Sequence, residues 1–75
     1  MKKLVTVITK MNANGQVIPL SIIWEDGNKF DIDKIIDISN KAGTKGGGCG
    51  KRYTCQIGGQ QRYLFLDEYS WFVEV

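Results

Sequence analysis

Short runs of β-branched and aromatic residues, each cut off by a dipeptide suited to a tight turn, constrain this chain more than any other feature. Asn14-Gly15 separates the run 4–11 from 17–24, and Asp26-Gly27 separates 17–24 from 30–38. Gly58-Gly59 separates 53–57 from 63–66, and Asp67-Glu68-Tyr69-Ser70 leads into a last run, 71–75. Asn, Asp and Gly tolerate the positive φ that a hairpin turn demands. The runs are rich in Val, Ile, Thr, Tyr, Phe and Trp, which suit a pleated surface. Five or six strands joined mostly by hairpins predict an all-β antiparallel meander. With so few residues, one face is buried and the edges are hidden by curling into a small barrel or roll. An SH3-like barrel is the first choice and an OB-like one the second.

Local signals refine this picture. Proline cannot donate to a ladder, so Pro19 predicts a strand end, an edge or a bulge. Phe30-Asp31-Ile32-Asp33 alternates apolar and acidic residues, as a half-buried strand does. Residues 33–42 offer Asp33 as a helix cap and Gly43 as a stop, but Ile35, Ile36 and Ile38 lose rotamer freedom in a helix. A bent strand is therefore preferred there. Residues 41–50 hold five of the nine glycines and read as a flexible loop. Trp24, Phe30, Ile32, Ile36, Leu64, Leu66, Trp71 and Val73 are the core candidates. Trp71 and Phe72 point to opposite faces of a strand, so one of them is expected to be exposed.

A chain of 75 residues and 8.4 kDa fits one domain, residues 1–75. It buries only roughly 60% of the surface its unfolded form exposes. A cavity of roughly 300–1,000 Å³ would hollow out such a core, so a groove or flat surface is expected rather than a small-molecule site. Cys49 and Cys55 are the only cysteines. On one strand they would lie roughly 20 Å apart, beyond disulfide reach. Reduced thiols in the cytosol are the expectation. The opening Met1-Lys2-Lys3-Leu4-Val5-Thr6-Val7-Ile8 begins like a secretion signal, but its apolar run ends too soon for export or for a membrane span. A cytoplasmic protein that does not enter a membrane is expected.

Several chemistries fail on spacing or inventory. A phosphate loop would need glycine where Lys45 stands and Ser or Thr where Arg52 stands. Structural zinc needs four Cys or His ligands, and the chain has two cysteines and no histidine. No histidine is present to activate a serine or cysteine nucleophile. Cys49, beside Lys51 and Arg52, is a conceivable redox thiol. Asp31 and Asp33 share a strand face at roughly 6.6–7 Å, but such alternation more often marks a solvated face. No enzyme, cofactor or metal site is expected.

Charge is more informative. The net charge of +2 conceals segregated blocks. Residues 38–66 carry Lys41, Lys45, Lys51, Arg52 and Arg62 and no acid, while residues 25–37 set five acids against two lysines. The basic block joins the glycine loop to a hairpin bearing Tyr53 and Tyr63. A binding surface of Lys41, Lys45, Lys51, Arg52, Arg62, Tyr53 and Tyr63 is expected. A non-catalytic module presenting this face to a protein partner, or to a second copy of itself, is the first functional reading. Binding of single-stranded nucleic acid, with cations on phosphates and a tyrosine stacked on a base, is the alternative.

Ile22-Ile23-Trp24-Glu25-Asp26-Gly27 with Phe30-Asp31-Ile32-Asp33 forms one pattern. Arg52-Tyr53-Thr54-Cys55 with Tyr63-Leu64-Phe65 and Trp71-Phe72-Val73-Glu74 forms another. Together, over residues 17–75, they resemble a group of short uncharacterised proteins from Gram-positive bacteria. That resemblance implies no activity and no functional residues.

Overall fold

The computed structural model describes residues 2–40, 50–68 and 70–74. Seven strands form one antiparallel sheet: β1 (Lys2–Met11), β2 (Val17–Ile23), β3 (Lys29–Asp31), β4 (Lys34–Ser39), β5 (Lys51–Ile57), β6 (Gln60–Asp67) and β7 (Ser70–Glu74). Their order is β3-β2-β1-β7-β6-β5-β4. The expected meander is present, and the strands are seven rather than five or six.

The extra strand comes from a break in the segment 29–39. Its first part pairs with β2, Phe30 opposite Ile22. Its second part pairs with β5, Ile35 opposite Cys55. Between them, the Ile32 N–H donates to the Leu20 carbonyl (2.9 Å) and the Asp33 N–H to the Gln56 carbonyl (2.8 Å). Two residues thus cross from one end of the sheet to the other. That is possible only because the sheet curls into a half-barrel. The Tyr53 hydroxyl ties the curl from inside by donating to the Val17 carbonyl at 2.8 Å.

Residues 34–39 are strand, as the isoleucines predicted, and Asp33 bonds to β5 instead of capping a helix. A register shift between Ile35 and Asp37 leaves Ile36 outside the pairing and supplies the bend. Pro19 also sits at an irregularity. The β1–β2 register slips between Ile8 and Thr9, so Leu20 has no β1 partner, and its carbonyl is the one that receives Ile32. A bulge is where proline's missing donor costs least.

Ile22, Tyr53, Cys55 and Leu64 form the buried centre on the concave face, with Ile32, Leu66, Trp71 and Val73 packed against it. Two expected core residues are corrected. Phe30 is 46% exposed and Ile36 49% exposed, one on the shortest edge strand and one on the bulge. The expected exposure of Trp71 or Phe72 is also corrected. Trp71 packs inward, tilted against Tyr53 with centroids 5.3 Å apart. Phe72 lies on the convex face but is only 5% exposed, stacked on Phe65 at 5.0 Å.

Candidate functional site: an aromatic corner cleft

Strand alternation decides where the expected site residues go. Lys51, Tyr53 and Cys55 share the concave face of β5, while Arg52 and Thr54 share the convex one. Tyr53 is 1% exposed and packs tilted against Trp71, so it is not available to a ligand. This corrects its assignment to the binding surface. Lys51 lies opposite Leu66, at the far end of the concave face from the β5–β6 turn. Arg52 lies opposite Phe65, and its guanidinium sits 4.8 Å from the ring of Tyr63, which is 46% exposed. Arg62 lies opposite Cys55, on the concave face near the turn, and donates to the side-chain oxygen of Gln60. The three described cations therefore do not share one face. Lys41, Lys45, Cys49 and the glycine-rich loop, apart from Gly50, lie outside the described residues.

A different arrangement emerges where the sheet fails to close. β3 is only three residues long, and β4 begins at Lys34, opposite Gln56, so Ile57 and the Gly58-Gly59 turn extend beyond it. The β2–β3 hairpin and the β5–β6 hairpin consequently gape apart at this corner. The opening is a cleft of about 1040 Å³. Ile22, Ile57, Leu64 and Val73 form its apolar floor, and Trp24 and Phe30 are its aromatic lining; Tyr63 borders it while its ring lies on the convex face beside Arg52. Arg62, Asp26 and Glu74 bring both signs of charge to it.

Each wall is held by local chemistry. The turn after Trp24 is closed by two backbone bonds: the Trp24 N–H donates to the Asn28 carbonyl (2.8 Å) and the Gly27 N–H to the Trp24 carbonyl (2.9 Å). Asp26 accepts from the Asn28 backbone and side-chain amides, both at 2.9 Å. Lys3 places its ammonium 5.4 Å from the Trp24 ring and bonds to Glu25 at 2.8 Å. An aromatic pocket with a few polar groups can grip an apolar side chain and orient the backbone that carries it.

Sequence reading placed Trp24 and Phe30 in the core and missed their place at the cleft. The available signal was that two large aromatics flank the Asp26-Gly27 turn, where few neighbours exist to cover them. The acid pair also dissolves in the structure. Asp31 accepts from the Ser21 hydroxyl at 2.8 Å and pairs with Lys29 at 3.7 Å, while Asp33 lies beyond the crossing. Among the described residues no cluster of three or more metal-ligating side chains occurs, and no helix is long and apolar enough to cross a membrane. No family model matches the chain, and no curated protein or solved structure matches it.

Proposed function

We propose that this chain is a non-catalytic, cytoplasmic binding module that receives an extended segment of a protein partner in the corner cleft. One observation carries the reading: Trp24 and Phe30, from the end of β2 and from β3, line one opening over an apolar floor. Aromatic side chains in such pockets dominate the energetics of protein recognition. Of the basic face expected from the sequence, Arg62 is the member that lines the cleft, where it offers a carboxylate or carbonyl a charged donor. A meander in which two residues, Ile32 and Asp33, cross between its halves supports an SH3-like barrel over the Greek-key OB type.

Selection of a displayed library of random peptides on the immobilised chain tests this. Enriched peptides are expected to carry a large apolar anchor. Trp24→Ala or Phe30→Ala should weaken them by about tenfold or more without unfolding the protein. Failure to enrich any sequence, or binding indifferent to both substitutions, removes the proposal.

Tyr63, half exposed beside Arg52 and followed back along β6 by Arg62, keeps single-stranded nucleic acid as a second reading. Asp26 and Glu74 at the same opening oppose a phosphate backbone. A mixed-sequence oligonucleotide titrated at low salt discriminates. Steeply salt-dependent binding that Arg62→Glu abolishes would put this reading first.

A further inference from the structure

We propose that a second copy of this chain docks along β4, antiparallel to it, so that two sheets continue into one another about a two-fold axis. β4 is the last strand of the sheet order, and its far side has no strand partner among the described residues. A strand edge of this kind is a template for pairing, and the charges and bulge that turn most partners away leave it open to a strand that complements them. The opposite edge, β3, has three residues, and β4 has six.

The sequence of β4 is self-complementary. Lys34 faces Gln56 and Asp37 faces Thr54, so the bulge at Ile36 puts both charges on the convex face. Without the bulge, residues three apart would point to opposite faces. An antiparallel register centred between Ile35 and Ile36 sets Lys34 of each copy against Asp37 of the other, and Ile35 against Ile36. Both ion pairs form on the same face, and each cross-strand pair of opposite charges stabilises the ladder. Neither Lys34 nor Asp37 has an ion-pair partner among the described residues. Ile36 and Ile38 are 49% and 43% exposed on this edge strand. A two-fold contact also explains how one short strand serves as both donor and acceptor surface, since each residue meets its partner twice. The site is separate from the corner cleft, which β4 does not line.

Sedimentation equilibrium of the full chain from about 10 µM to about 1 mM reads the association directly. A monomer–dimer equilibrium is expected. K34D and D37K each set like charges opposite one another and should weaken it by about tenfold or more. The double variant K34D/D37K should associate like the wild type. The two single variants, mixed in equal amounts, should form a heterodimer although neither pairs well with itself. Circular dichroism of each variant confirms that these exposed sites leave the fold intact. A monomer at the highest concentration overturns the proposal. So does a dimer that the single reversals leave unchanged, or one that neither the double variant nor the mixture restores. None of these results touches the cleft.

Discussion

Cys55 shows how one residue's position sets its chemistry. It is 0% exposed, between Ile35 and Arg62 as cross-strand neighbours, and its thiol lies 3.7 Å from the Tyr53 carbonyl. Burial pushes the thiol pKa up from 9.0 to about 11. Burial also raises that of Tyr53, with a smaller contribution from a charged Cys55. The folded state therefore favours the neutral thiol. Its stabilising share is complete below pH 9.0 and is lost as pH rises towards about 11. The urea midpoint should stay level through neutrality and fall across that alkaline window. Cys55→Ala should cost about 1 kcal/mol at neutral pH but flatten the alkaline decline. Parallel declines in the two proteins would show that thiol burial is not the cause. The same parity that buries Cys55 buries Tyr53 and leaves Tyr63 outside. Two tyrosines that look equivalent in composition thus become a core residue and a surface residue.

Elements are fixed at their turns. Ile57 pairs with Gln60, leaving Gly58 and Gly59 as a two-residue turn with φ of 58° and 80°. Positive φ at both centres is the geometry that matches the twist of a hairpin. A Cβ at either position would meet nothing within 4 Å, so substitution costs only backbone conformation. Gly59→Ala should destabilise by about 1 kcal/mol, and Gly58→Asn by less, because asparagine visits the left-handed region more readily. Chemical denaturation measures both, and equal costs would contradict the asymmetry. These turns were legible because glycine, asparagine and aspartate state the φ they permit. Pro19 likewise marked a strand end, an edge or a bulge, and it sits at a bulge. The division of 29–39 into two strands was not legible, since Phe30-Asp31-Ile32-Asp33 alternates straight through the crossing. Period-two alternation records which face a side chain takes, and carries no information about which strand lies beside it.

At the scale of the molecule, the same limit explains the site. Lys51 and Arg52 are neighbours in sequence and lie on opposite faces, so a basic block in the chain is not a basic patch on the sheet. Trp24 and Phe30 meet Arg62 and Leu64 of β6 only through closure, which depends on contacts between distant parts of the chain. That closure has two fastenings. One is the crossing at Ile32 and Asp33, and the other is the β1–β7 ladder, where Lys2 meets Glu74 and Val5 meets Trp71. β1, β2 and β3 form a three-stranded meander whose ladder connection to the other strands runs through β7. A chain ending at Asp67 would lose that ladder, the Trp71 contact with Tyr53 and the Phe72 stack on Phe65. What remains would be two small open sheets joined by the crossing and one hydroxyl bond, with their apolar faces unmatched. The shortened chain should therefore lose its cooperative thermal transition and its dispersed amide NMR spectrum, while the full chain unfolds in one step. A sharp transition in the shortened chain would mean that the crossing alone holds the halves together, and that β7 covers a core already formed.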